Sequence, residues 1–271
     1  MAIGNFQFGI GFASPTLVLT VAPSLYYPPH RLLNVNPWQD ARFASGGKLV
    51  LDAGAAAAPL ALFVDNVNFP TLQIEYSADC VSWSNLGTNT IAFDYELGRR
   101  KAWIAIAPGS VRYFRLTPSG TLDDGDTLIR MGTVLLITTV LTLADNPAEP
   151  VTRIIPAVSR LTYAGGGGEL NDEGHPRFEC TLSSDVFITP ATVIPQIGQL
   201  LAVPPSSPIV MFRNQNETQY AYCLQRVSAE TQVTERYNTG TFGPITLSEG
   251  AFRDSAGALG GMMGAGESAG D

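Results

Sequence analysis

The chain has 271 residues, a net charge of -8 and only two histidines, which leaves room for one or two domains with separate cores. Charged residues make up 15% against about 25% in ordinary globular chains. Only Lys48 and Lys101 are lysines, so no basic stripe exists to track a phosphate backbone, and direct nucleic-acid contact is disfavoured.

In chain order, residues 1–22 read as an N-terminal arm. It has no basic stretch ahead of its apolar residues, and Pro15 and Pro23 interrupt the next apolar stretch, so a signal peptide is not expected. Residues 23–146 carry short runs of Val, Ile, Leu, Tyr and Phe about every eight to twelve residues between Gly, Pro, Asn and Asp, the pattern of a β-sandwich. Within 72–76, Leu72, Ile74 and Tyr76 alternate with Gln73 and Glu75, so the strand has one buried and one wet face. Residues 133–143 are β-branched and nearly all apolar, as in a central strand covered on both faces, and the apolar run 131–144 is too short to span a bilayer.

Pro147 and Pro150 end this unit. The second unit, 151–252, reads as strands around one helix near 189–202: Thr189 suits the cap, Pro190 the first turn, and Val193, Ile194, Ile197, Leu200 and Leu201 one face. Strands are expected at 209–212, 220–227, 231–237 and 241–247. The Gly/Ala-rich end, 253–271, has too little apolar surface to fold and reads as a flexible tail.

Candidate chemistry is sparse. His30 and His175 lie in turn-like sequence, Cys80, Cys180 and Cys223 are scattered, and Asp123, Asp124 and Asp126 lack the spacing of a calcium loop, so no catalytic residue, metal site or cofactor is expected. Gly165 to Gly168 is a hairpin loop with no phosphate-binding Lys after it. Arg99-Arg100-Lys101 reads as a solvated turn or a subunit contact. Trp38, Asp40 and Arg42, with Trp83, form the best candidate ligand set, because an indole face matches the apolar face of a pyranose and nearby polar groups can bond its hydroxyls. Trp103, inside a strand, reads as core.

The order Trp38-Gln39-Asp40-Ala41-Arg42-Phe43, Leu49-Val50-Leu51-Asp52-Ala53-Gly54, 60–66, 72–79 with Trp83, and Val111-Arg112-Tyr113-Phe114-Arg115-Leu116 resembles the galactose-binding-like, or discoidin-like, jelly roll over residues 34–145. Ala53 departs from the family, which often has Leu there. Ile129-Arg130-Met131-Gly132 before a long apolar strand, and Pro176-Arg177-Phe178-Glu179-Cys180-Thr181-Leu182 after a glycine loop, are similar to distal tail proteins at the tail tip of tailed bacteriophages. That resemblance implies a mainly β chain, a jelly-roll sandwich followed by a smaller β-rich hub with one helix, and a structural virion protein that is not an enzyme. It would assemble in the bacterial cytoplasm into a ring of six copies, or three, joined to the tail tube and other tail-tip proteins. Strands 209–212 and 220–227 and both chain ends are the expected ring contacts. Two alternatives stand beside it: a carbohydrate- or receptor-binding module for a host surface glycan, and a glycoside hydrolase with two unlinked carboxylates. No membrane insertion is expected.

Overall fold

A computed structural model describes residues 6–21, 29, 32, 40–95, 97–143, 151–155, 158–162, 169–173, 177–184, 190–205, 207–215, 218–226, 233–236 and 239–249. The first half holds β1 (Gln7–Phe12), β2 (Thr16–Leu19), β3 (Ala41–Ala44), β4 (Leu49–Ala57), β5 (Ala61–Val67), β6 (Thr71–Ser77), β7 (Ser84–Thr90), β8 (Phe93–Asp94), β9 (Arg99–Ala105), β10 (Val111–Ser119), β11 (Leu128–Met131) and β12 (Thr133–Thr142). Next come β13 (Val151–Ile155), β14 (Val158–Thr162), β15 (Glu169–Glu173), β16 (Arg177–Ser184), helix α1 (Pro190–Ala202), β17 (Ile209–Gln215), β18 (Thr218–Arg226), β19 (Val233–Arg236) and β20 (Thr239–Ser248).

The chain is mainly β, with a jelly-roll sandwich. One layer is a five-stranded sheet in the order β2-β4-β10-β6-β7; the other is the β12-β5-β9-β8 part of an eleven-stranded sheet. Alternation builds the core between them: Leu49 and Leu51, Leu72 and Ile74, and Phe114 and Leu116 face Leu62 and Val64, Ala102 and Ile104, and Val134 and Leu136. At about 25 cal/mol per Å², this apolar burial is the main driving force of the fold.

The residues left over by that alternation, Ala61 and Phe63, Trp103, and Leu135 and Ile137, point to the other side of the large sheet. There they meet Val210, Ala221 and Cys223 of β17 and β18. The sheet therefore curls back on itself, and β1 is where it bends, because β1 pairs with β12 on one side and β17 on the other. A Cβ on Gly9 would come within 2.9 Å of Ile137, and one on Gly11 within 2.4 Å of Thr139. Only glycine lets β1 lie so close to β12, and the register shifts at both positions.

This corrects the reading of the N-terminus. Residues 7–12 are not an arm free to cross to a neighbour but an inner strand with Phe8 fully buried. The expected ring contact at 209–212 loses its free strand edge, since β17 lies between β1 and β18 and is paired on both sides at Val210, Met211 and Phe212. Strand β18 pairs with β17 over 218–224 and with β20 only at Gln225 and Arg226, while its Ala221, Tyr222, Cys223 and Leu224 are buried.

Helix α1 begins at Pro190, the position that needs no N–H donor. It packs Val193, Ile197 and Leu200 against Cys180, Leu182, Leu224, Ile245 and Leu247. Pro195 lies inside it and removes one hydrogen bond of the second turn. The stretches 144–150, 163–168 and 250–271, with the expected boundary, glycine loop and tail, lie outside the described residues, as do His30 and His175.

Candidate functional site

At one end of the sandwich the loops after β5, β7 and β10 meet the β3–β11 pair. The organiser is Asn68, fully buried. Its Nδ2 donates to Asp126 Oδ2 at 3.0 Å and to the Leu128 carbonyl at 2.9 Å, its Oδ1 accepts the Arg130 N–H at 2.8 Å, and its carbonyl accepts the Asp123 N–H at 2.8 Å. Asp123 opens a single 3-10 turn and grips Arg100 with both oxygens at 2.8 and 3.0 Å. Arg100 also donates to the Ile91 carbonyl at 2.8 Å. Its guanidinium lies 5.5 Å from the Phe93 ring centre, and Phe93 meets Tyr95 edge to face at 5.1 Å and 64°.

Tyr95 is 89% exposed, the most exposed of the large apolar or aromatic side chains among the described residues. It sits in a turn fixed by the Leu97 N–H donating to Asp94 Oδ1 at 3.1 Å. The arrangement is an exposed aromatic ring, set edge to face on Phe93, near a planar Arg100–Asp123 pair whose remaining N–H groups and lone pairs can serve a ligand. Asp40 and Arg42 join this end through β3, where Arg42 is the register partner of Arg130. Arg42 Nε donates to Asp40 Oδ2 at 2.9 Å, with Asp40 nearly buried and Arg42 about one-third exposed.

Of the other sequence candidates, Trp38 lies outside the described residues. Trp83 precedes β7, at the far edge of the five-stranded sheet, with the Arg115 guanidinium 4.2 Å from its ring centre. Arg115 in turn makes a bidentate pair with Glu75 at 2.7 and 2.8 Å. Trp83 thus flanks a different sheet from the β3–β11 pair that carries Arg42. Sequence reasoning misses Tyr95, Phe93, Arg100 and Asp123 as a ligand set, and no local signal in the sequence marks them as one. Trp103 is core as expected, stacked 5.2 Å from Phe212.

Arg99-Arg100-Lys101 is not a solvated turn. It is a strand, and alternation sends Arg99 and Lys101 to the face that meets the second half of the chain. Arg99 donates to both oxygens of Asp65, at 2.8 and 3.1 Å, and to Glu249. Glu249 also accepts the Phe178 N–H at 3.0 Å. Lys101 pairs with Asp94 at 2.6 Å and lies 3.3 Å from the Tyr222 ring centre. Burial by itself would lower the Arg99 pKa, but the charges of Asp65 and Glu249 outweigh it and keep the guanidinium protonated.

Among the described residues no group of His, Cys, Asp and Glu is placed to hold a metal ion, and no helix is long and apolar enough to cross a membrane. A cleft of about 630 Å³ beside β1, lined by Phe12, Pro15, Leu135, Val203 and Pro204 among others, contains no charged side chain. Cys180 is buried, which pushes its thiol up to about 12, and burial does the same more strongly to Cys223. Neither is an activated nucleophile.

No protein-family model matches the sequence, and no curated protein does. Among solved structures, the chain is similar to the CBM32 of AlyQ in complex with 4,5-unsaturated mannuronic acid, at 15% identity over 46% of this chain and 95% of that one, TM-score 0.38. CBM32-1 from a family 31 glycoside hydrolase of Clostridium perfringens aligns at 15% identity over 45% and 93%, TM-score 0.37. A chitosan-binding module from Paenibacillus sp. IK-5 aligns at 13% over 45% and 92%, TM-score 0.36.

Proposed function

We propose that this chain is a non-catalytic carbohydrate-binding protein whose site is the loop end around Tyr95. The observation that carries the reading is a tyrosine held on Phe93 yet almost wholly in water, next to a fixed Arg100–Asp123 pair. Such a ring stacks on the apolar face of a pyranose, while the planar pair offers donors and acceptors to two neighbouring hydroxyls. Arg100, Arg42 and Lys101 are already neutralised by Asp123, Asp40 and Asp94, so the expected ligand is a neutral sugar.

Calorimetric titration of the full chain with neutral oligosaccharides tests this. Tyr95→Ala should weaken binding about tenfold or more with an unchanged melting temperature, and Trp83→Ala should bind as the parent does. Loss in Trp83→Ala alone would move the site to the sheet face. A parent chain that binds no glycan would sink the reading.

A second reading, the tail-tip ring subunit, is favoured by one feature. β13 pairs with β16 through Ile155 and Arg177, and the ladder resumes in β14 and β15 at Val158 and Glu173. The register is near-constant across the two pairs, and the β14–β15 pair, about 17 Å long, pairs with no other strand among the described residues. An isolated two-stranded ribbon is marginal in water, so a neighbour in an assembly would stabilise it. Six copies, or three, in a mass measurement of the full chain with its tail partners would support this; a strict monomer alone and in their presence would end it.

A further inference from the structure

The five-stranded sheet ends in two edges of different make. At one edge, β7 is polar but for Leu86 and Gly87, and its register with β6 shifts where Gly87 takes a φ of 125°. Such a bulge turns an edge away from neighbours. At the other edge, β2 pairs in regular register with β4, from Thr16 opposite Asp52 to Leu19 opposite Leu49, and with no other strand among the described residues. It carries none of the charges, prolines or bulges that usually blunt an edge. Leu17 and Leu19 pack against the core yet stay partly exposed, and Val18, on the outer face, is 54% exposed.

The backbone groups left over on this edge are also defined. Thr20 donates its N–H to the Lys48 carbonyl at 3.0 Å. Bonded pairs alternate along an antiparallel ladder, so Val18 is likewise turned to β4, and the N–H and C=O groups of Leu17 and Leu19 point off the sheet.

We propose that β2 is a two-fold docking edge whose occupant is β2 of a second copy of this chain. The segment Thr16-Leu17-Val18-Leu19-Thr20 reads the same in both directions. Laid antiparallel on itself about Val18, it sets Thr16 opposite Thr20, Leu17 opposite Leu19 and Val18 opposite Val18, so like side chains meet in every row. The two leucine rows use the free backbone groups of both copies in four hydrogen bonds, and the two-fold axis makes the contact self-complementary and closed. Threonine pairs and apolar pairs across strands are both favourable. Charge agrees with this register. Asp52 lies beside Thr16 and Lys48 beside Thr20, so the row that holds Asp52 of one copy holds Lys48 of the other. A strand this short buries less than the roughly 1,000 Å² of a stable interface, so the pairing is reversible and shows at high concentration.

Sedimentation equilibrium of the full chain from about 5 to about 500 μM should show the mass rising from one chain toward two. Val18→Lys and Val18→Glu each set like charges opposite one another and should weaken the pairing about tenfold or more, with the melting temperature of the dilute chain unchanged. An equal mixture of the two variants should restore it. In the parent, the Leu17 and Leu19 amides should exchange about twofold or more slowly at the high concentration, while the Thr20 amide, already bonded to Lys48, should not change. A strict monomer at about 500 μM, or an assembly of any size that both single variants leave intact, would overturn the proposal. If either variant does not fold, the Leu17 and Leu19 amides of the parent decide alone, and no slowing with concentration would overturn it.

Discussion

Two faces of this molecule use the same chemical unit to opposite effect. On the outer face of the five-stranded sheet, Arg115 grips Glu75 and Arg112 grips Asp52, each with two parallel hydrogen bonds. At the seam, Arg99 grips Asp65 the same way. The outer pairs keep contact with water, the Arg112 side chain at 43% exposure, whereas Arg99 and Asp65 have none. In water a broken pair is resolvated at little cost, and such pairs contribute about 0 to 1 kcal/mol. In the seam neither partner can be resolvated, so the pair gives little net stability yet becomes indispensable once present.

The sharpest way to break that contrast is Arg99→Met, which keeps the stem's volume but leaves Asp65 and Glu249 without their hydrogen-bonded cation, Lys101 alone remaining to offset them. A loss of about 3 to 5 kcal/mol is expected in urea denaturation, enough to unfold much of a chain of ordinary stability. A loss below about 1 kcal/mol would mean that water reaches the seam. Gly11→Ala tests the bend that creates the seam: the new methyl would meet Thr139 at 2.4 Å, and overpacking of this kind costs about 1 to 3 kcal/mol. Arg115→Ala, by contrast, should cost no more than about 1 kcal/mol by the same assay, part of it from lost cover on Trp83.

The same contrast explains what the sequence could convey. Leu72 and Ile74 are buried while Gln73 and Glu75 are half-exposed, because each residue's polarity states its face when one face is wet. Strand β12 was legible for the complementary reason: a run with no polar face must be covered twice. Arg99 and Lys101 broke the rule. They share a face with Trp103, and a pattern of charge reads as solvent unless its counter-ions are known. One of those counter-ions, Glu249, stands 150 residues away. The inner strand β1 was not legible either, since glycines such as Gly9 and Gly11 in an apolar run signal flexibility as readily as close approach. The Asp40–Arg42 half of the candidate site was within reach because the two residues are neighbours in the sequence. Tyr95 was not, because nothing local distinguishes an exposed tyrosine from a packed one.

The smallest expected effect lies at low pH, where the two faces should part company. On the outer face, the Arg112 guanidinium and the Gly54 N–H hold Asp52 below its ordinary 3.8, and Arg115 holds Glu75 below 4.5. Nearby, the N–H groups of Ser82 and Val81 and the Ser77 hydroxyl bring Asp79 down to about 2. A carboxylate with a depressed folded value contributes stability that is present above its unfolded value and is lost as pH falls through the folded one. The outer face should therefore weaken from 4.5 downward, and Asp79 should be the last to let go, near 2. Glu249 runs the other way, since burial raises its value against the pull of Arg99, and is at its most secure in that range. Amide exchange tracked from about pH 5 to about pH 2 should show protection draining first from β4 and β10 and last from the Ser77 to Ser82 turn, while Phe178 keeps its own. Loss at the seam before the outer face would show that Glu249 is held ionised by Arg99, and that the two faces differ only in exposure.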